Sequence, residues 1–482
     1  MNEEKKEEKA VSRRKYLSTV GGLAAAAAVG WGAAGYLASR PPAPAAVRTV
    51  TETKTVSVAP TVATPVTTPK PPEKKITLKV STIVGINGLI AKTLKDAFEK
   101  TYPNIMLEII EHPWEEVTEI QLADMVAGTA SYDVVTTFNS ALAPYAKGGH
   151  IYPIDEFIEK YEGTEYDLTE HIKDLPPKLL EICMYDDKIY GMPQNWWTFA
   201  LYYRKDLVEA KGLKLPETFY DIPEFATALT EDIDKDGKID RYGWGLPGLR
   251  GGAGCNTYTW YNYLWSFGGE ILDEDYKPIF NSKEGVEALT LWHDLLPFVS
   301  PEIMSLGCDQ NTSLIQQDKL AALIHDSDQM GFIQDPTASK VVDKVRMTVM
   351  PRQVRRRAML GYWMITINAD TPYKEEAYKY IEFMTRPENL KVWAKLGQAP
   401  PSVTLLKDPE TQKLRPELPF DVLLETLKDV ASVPKIPEYI NIEDKISIAI
   451  ADVCTKKKSP KEALDWAAAE TEKILKEAGY YK

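Results

Sequence analysis

The sequence predicts an α/β fold, a parallel sheet with helices packed on it, from three observations. Residues 76 to 138 read strand, helix, strand, helix, strand by their hydrophobic period. The 482 residues carry 44% hydrophobic and 26% charged side chains, the balance of a globular protein with room for two or three domains. The chain closes on an amphipathic helix, "PKEALDWAAAETEKILKEAG", with Leu464, Ala468, Thr471 and Leu475 on one face and Gly479 as its stop.

At the amino terminus, Ser12-Arg13-Arg14-Lys15-Tyr16-Leu17 resembles a twin-arginine export motif with Tyr at the usual Phe position. No charge stands between Lys15 and Arg40, enough chain for a bilayer core, which takes about 20 residues. The stretch is mostly Ala and Gly, the mild apolarity of a twin-arginine signal. Residues 41–75 are rich in Pro, Thr and Val, a composition that buries no core and favours an extended stalk. The expectation is a signal over residues 1–40, kept as a membrane anchor behind the stalk. Cleavage near Ala43-Pro44-Ala45 is the alternative. No lipid-bearing cysteine follows the apolar stretch, since the first cysteine is Cys183.

The folded body begins with "ITLKVSTI", Ile76 to Ile83, which alternates as a strand does. The next helix places Ile90, Leu94, Ala97 and Phe98 on one face and stops at Tyr102-Pro103-Asn104. "IMLEII" is the second strand, residues 114 to 125 form an amphipathic segment, and "YDVVTTF" is the third strand. Ligands of such sheets meet the loops after the strands' carboxyl ends, which puts Asn87 and Asn139 at a rim.

A series of segments then resembles, in order, the family 1 extracellular solute-binding proteins, relatives of maltose-binding protein that serve sugar-importing ABC transporters. These segments are "FEKTYPNIMLEII", "YDVVTTFNSALAPYAKGGHIYPIDEFI", "YGMPQNWWTFALYYRKDL", "WSFGGEILDEDYKPIFNSKEGVEAL", "QQDKLAALIHDSDQM", "GYWMITINADTPYKEEAYKYIEFMT" and "WAKLGQAPPS". The resemblance covers about Ile76 to Tyr480. It implies a two-lobed periplasmic-binding-protein fold of type II character, with a ligand cleft where the chain crosses between lobes. By position, the crossings fall near Pro193–Thr198, Ala321–Asp326 and Leu360–Met364. The first lobe is then 76–195 plus 325–362, and the second 196–324 plus 363–482. A non-catalytic receptor is implied, closing on a sugar and docking on permease subunits, with no cofactor required; the aromatic wealth of the chain favours an oligosaccharide. Ser140 and Ala141 stand where maltose-binding protein has a charged pair, which counts against maltodextrin.

A sugar site needs flat aromatic faces and planar polar groups, and the chain has 11 Trp and 25 Tyr. The expected ligand-binding residues are Asn139, Trp196, Trp197, Tyr258, Trp260, Asp326 and Trp363, with plain core packing as the competing role of each tryptophan. Gln194, Asn195, Asn256 and Asp328 are further polar candidates. A glycan hydrolase built on Asp326 and Asp328 is the competing class, and carboxylates two residues apart rarely face each other across a bond. Receptors of the same fold for peptides or polyols are the other alternative.

"DIDKDGKIDRYG" places Asp232, Asp234, Asp236 and Asp240 as a calcium loop would, although Gly243 replaces the closing Glu. Weak calcium binding competes with a plain surface hairpin. "GWGLPG" matches a dinucleotide fingerprint by letter, but no buried strand precedes it. The net charge of −13 argues against a nucleic-acid surface, and "RQVRRR", Arg352 to Arg357, reads as a solvated turn. Cys183, Cys255, Cys308 and Cys454 show no CxxC spacing and leave any disulfide pairing open.

Overall fold

The computed structural model describes residues 75–114, 116–251 and 255–481. The signal and anchor expected over 1–40 and the stalk over 41–75 lie outside the described residues, save Lys75. Among the described residues no helix is long and apolar enough to cross a membrane.

The first strands form as their alternation predicts. β1 (Ile76–Ile83) runs parallel to β2 (Ile105–His112) and to β3 (Val134–Phe138). Between β1 and β2 lies α1 (Ile86–Thr101), which buries Ile90, Ala91, Leu94 and Phe98. Ala91 takes the place expected of Ala97, which is exposed. The helix α2 (Val117–Ala127) leads to β3 and ends at Gly128 in a left-handed cap. After α3 (Leu142–Lys147), β4 (Ile151–Tyr152) and α4 (Pro177–Ile182) comes β5 (Gly191–Arg204), the longest strand.

β5 and β8 (Ala358–Asn368) join the two halves of a nine-stranded sheet. β8 runs antiparallel to β5 over residues 360–366, and its Trp363–Asn368 end pairs with β3 and β4. The far end of β5, Phe199 to Arg204, pairs instead with β6 (Ala322–Asp326) and β7 (Val345–Thr348). The first three strands have the parallel order expected of them; the joining strands are antiparallel to each other and to β3, β4, β6 and β7.

Two cores pack on this sheet, and the larger also reaches across the junction to Val135, Leu142 and Leu179. One buries Leu78, Ile90, Phe98, Ile381 and Trp393; the other buries Phe225, Trp244, Trp260, Ile324 and Ile450. The packing corrects the expected lobe division. Residues 325–362 do not go with the first lobe, because Met330, Ile333 and Val345 bury in the second core and β7 pairs with β5 there. Residues 363–482 divide, because α7 (Lys374–Met384) and α8 (Pro387–Leu396) lay Tyr378, Ile381 and Trp393 in the first core with Phe98. The cause is strand direction. β8 runs into the first lobe and strands the helices that follow it there. β6 only approaches the junction, and the chain turns back at Ser327. The segment 321–326 therefore ends at the crossing instead of passing through it.

The second lobe is closed by α9 (Tyr439–Cys454) and α10 (Pro460–Glu477). Ser459 caps α10 by accepting from the Glu462 amide, Pro460 opens it, and Leu464, Ala468, Thr471 and Leu475 are buried. The glycines of "GWGLPG" serve close packing: a Cβ on Gly243 would lie 1.9 Å from the Ala226 carbonyl oxygen. The cationic run is not the solvated turn expected. Arg355 donates to the Trp265 carbonyl at 2.7 Å, and Arg357 bridges Glu270 and Asp429.

Candidate functional site

The junction of β5 and β8 positions an aromatic cluster. β3 ends on Phe138, which lies opposite Trp363 of β8, and Trp363 lies opposite Asn195 of β5. The Phe138 and Trp363 ring centroids are 4.6 Å apart. Trp197, two residues beyond Asn195, shares its face of the strand. Its indole lies over Gly361, where a Cβ would fall 2.2 Å from the ring, so only glycine admits it. Phe138 also faces Trp197 at 6.2 Å and Tyr258 at 6.3 Å, both near parallel. Tyr258 comes from α5 (Cys255–Ser266) in the second lobe, and its hydroxyl donates to Asn139 Oδ1 of the first at 3.3 Å. The lobes meet at this bond.

Around the aromatics lie buried polar atoms that have no protein partner. They include Asn139 Nδ2, Asn195 Oδ1, Thr198 Oγ1, Gln398 Oε1 and both terminal nitrogens of Arg415; both side-chain polar atoms of Asn87, at the rim, are also orphaned. Buried polar groups are nearly always paired, so a set without partners points to a function. Asp328 organises part of this set: the Asn195 and Gln398 side chains hydrogen-bond its carboxylate, and the Arg415 guanidinium lies close by. Both amides thereby give their N–H to Asp328 and keep a free oxygen acceptor. Arg415 is 4% exposed, pairs through Nε with Glu417 and slots between Gly331 and Gly397. The result is a group of free acceptors beside a fork of free donors.

Of the residues expected from sequence, Asn139, Trp197, Tyr258 and Trp363 come together, with Asn195 beside them. Trp196 and Trp260 do not join them, for both are fully buried in the second core. Geometry separates each from its neighbour. Successive strand residues point to opposite faces, which parts Trp196 from Trp197, and residues two apart on a helix diverge, which parts Trp260 from Tyr258. Gln194 accepts from Thr136 at 3.0 Å and Asn256 exchanges bonds with Ser447, so both are engaged structurally. Phe138, Gln398 and Arg415 are missed by sequence reasoning. Phe138 reads as a strand end, and Gln398 and Arg415 lie in loops with no period to mark them.

Asp326 ends β6, buried, its backbone carbonyl accepting from the Tyr202 hydroxyl at 2.8 Å. Burial, then the neighbouring Asp328, pushes its carboxyl up to about 8. Burial raises Asp328 to about 7 against the opposing pull of Arg415. Burial also pushes the His325 imidazole down to about 3, so its contact with Asp326 is no ion pair at neutral pH.

The acidic loop brings one carboxylate oxygen each from Asp232, Asp234 and Asp236 within 4.8 Å of one another. Asp240 does not join them. Its carboxylate accepts from the Ile233 and Asp234 amides. Cys255 at the start of α5 is bonded to Cys308 at the start of α6 (Cys308–Gln316), while Cys183 and Cys454 are buried thiols.

The family model of the bacterial extracellular solute-binding proteins matches residues 84–391, well over half of the chain. The chain belongs to this family. Among solved structures, this solute-binding protein is similar to an ABC transporter solute-binding protein from Agrobacterium vitis with bound D-mannitol. That likeness has a TM-score of 0.70 and 27% identity, covering 84% of this chain and all (100%) of the other. A solute-binding protein from Agrobacterium radiobacter in complex with ribitol gives a TM-score of 0.71 at 25% identity, covering 83% and 99%. These matches establish the two-lobed fold. By sequence, the Pseudomonas aeruginosa mannitol-binding protein is 25% identical, covering 84% of this chain and 94% of that one. A probable amino-acid ABC transporter periplasmic-binding protein of Sinorhizobium fredii is 26% identical, covering 85% and 91%.

The raised carboxyls give a pH dependence of defined sign. A folded state that holds protons the unfolded state releases loses stability as pH rises from about 4 to about 8. Asp326→Asn removes one such group. Thermal melts should show its Tm gaining on the parent by about 2–3 °C between about pH 5 and about pH 9. An unchanged difference across that range would show that Asp326 ionises as easily folded as unfolded.

Proposed function

We propose that this chain is the receptor of an ABC importer and captures a carbohydrate or sugar alcohol between its lobes. The carrying observation is the Asp328 group: two amide oxygens accept, and a guanidinium fork donates, beside a half-buried tryptophan. A hydroxyl both donates and accepts, so neighbouring hydroxyls of a sugar complement that arrangement, while the Trp197 face suits a C–H-rich surface. The printed ligands of relatives, mannitol and ribitol, support the same chemistry. They extend the oligosaccharide expectation to sugar alcohols. In this reading Asn139, Trp197, Tyr258, Asn195, Asp326, Asp328, Arg415 and Trp363 serve the ligand. Groups from both lobes reach it only when the lobes close, and that difference in contact is what favours closure. The closed form then docks on permease subunits.

Calorimetric titration with a panel of alditols, hexoses, oligosaccharides and amino acids tests the proposal. The expected outcome is saturable one-to-one binding of a hydroxyl-rich solute without turnover, weakened about tenfold or more in Arg415→Met, whose loss removes charged hydrogen bonds. Binding of amino acids alone would favour the function printed for the S. fredii relative, and steady hydrolysis of a glycan would favour an enzyme.

The reading extends to location. Residues 1–40 direct twin-arginine export and stay as an anchor, with 41–75 as the stalk, supported by Arg13-Arg14 and the uncharged stretch after them. Replacing both arginines by lysine should keep the protein inside the cell, as fractionation would show; normal export would refute the route. Calcium, in this reading, stiffens the loop at Asp232, Asp234 and Asp236 without joining solute capture. Added calcium should raise the Tm of the parent and leave Asp234→Ala unmoved, and equal responses would remove the ion from the account.

A further inference from the structure

We propose that the Arg415 guanidinium receives a carboxylate of the solute, which makes that solute a sugar acid, an aldonate or uronate, and not a neutral sugar. The inference rests on the carbohydrate reading and narrows it. Arg415 is 4% exposed, so its charge is held out of water. Its Nε donates to Glu417, and both terminal nitrogens, Nη1 and Nη2, are buried without partners. The side-on edge of the guanidinium is therefore spent, while the end-on edge, with two parallel N–H groups, is open. A carboxylate matches that edge with two coplanar oxygens and brings a charge as well. A hydroxyl fills one position of the fork and leaves a buried cation short of a counter-charge.

The surroundings keep the fork bare. A Cβ on Gly331 would lie 3.3 Å from Nη2 and one on Gly397 3.3 Å from Nη1, so glycine on both flanks keeps side chains away. The nearby carboxyls do not serve in the solute's place. Asp328 is engaged by the Asn195 and Gln398 side chains, and burial raises both it and Asp326, which weakens their counter-charge at neutral pH. The same Gly397 Cβ position is 3.7 Å from Ile86 Cδ1, which places the fork near the start of α1. That helix begins without a side-chain cap, and such an end favours negative charge. Asn87, in its first turn, is fully buried with both side-chain polar atoms unpartnered. Glu111, beside Gly88 in that turn, is paired with Lys92. The free acceptors Asn195 Oδ1 and Gln398 Oε1 belong to the Asp328 group and suit hydroxyls, not a second carboxylate. One carboxylate with hydroxyls beside it is the make-up of an aldonic or uronic acid.

The test titrates the full chain calorimetrically with three matched pairs: D-gluconate and D-sorbitol, D-glucuronate and D-glucose, D-galacturonate and D-galactose. The members of each pair differ only in a carboxylate and the CH2OH that replaces it. The acid of at least one pair should bind about tenfold or more tightly than its neutral partner, the worth of a charged two-point contact. Arg415→Met should remove that preference and bring the two affinities together. Arg415→Lys, which keeps the charge and loses the fork, should restore only part of it. A merely structural role would lower both affinities alike in Arg415→Met. That result, or a neutral partner bound as tightly as its acid by the parent, overturns the proposal and leaves the carbohydrate reading standing. If none of the six binds, the carbohydrate reading fails and the proposal with it.

Discussion

Everything in this molecule depends on the backbone pairing of two long strands, β5 and β8, at the point where both pass from one lobe to the other. Their antiparallel ladder over residues 360–366 joins the two halves of the nine-stranded sheet. The ladder is interrupted once, by a register shift between Trp363 and Met364, and each lobe continues from one of its ends. Trp197, Asn195 and Trp363 project from that ladder, so the candidate site is built on the strand pairing that joins the lobes. Gly361 shows the cost of the arrangement: the strand gives up a side chain so that an indole can lie against it.

The second constraint is electrostatic. Taking Asp326, Asp328 and Arg415 out of water is expensive unless each finds partners. The two carboxyls respond by holding their protons to higher pH, and Arg415 is balanced by Glu417 through one nitrogen only. Such under-satisfied groups destabilise a fold taken alone. They make sense where a second molecule supplies the missing partners, and a solute-binding family is where such a molecule is expected.

Much of the first lobe was legible, since β1, α1, β2 and β3 follow from alternation and helical period with nearly the expected ends. The location of the crossing was legible too, through the aromatic-rich "GMPQNWWTF" and "GYWMI" segments. Strand direction at the junction was not, and it decided where α7, α8 and β7 belong. Periodicity says which residues share a face but not which face meets which lobe. That is why Trp197 was right to be grouped with Trp363 while Trp196 and Trp260 turned into the core. Gln398 and Arg415 act through tertiary position alone, in loops whose local sequence carries no mark of it.

The central claim is that the unpartnered polar atoms around Asp328 and Arg415 receive a hydroxyl-rich solute held by both lobes. A crystal structure of the protein with a bound sugar or alditol tests it most directly. The account predicts solute hydroxyls within hydrogen-bond distance of Asn195, Gln398 and Arg415, with an apolar face of the solute against Trp197. A solute bound elsewhere, with those atoms satisfied by one another or by water, would contradict it.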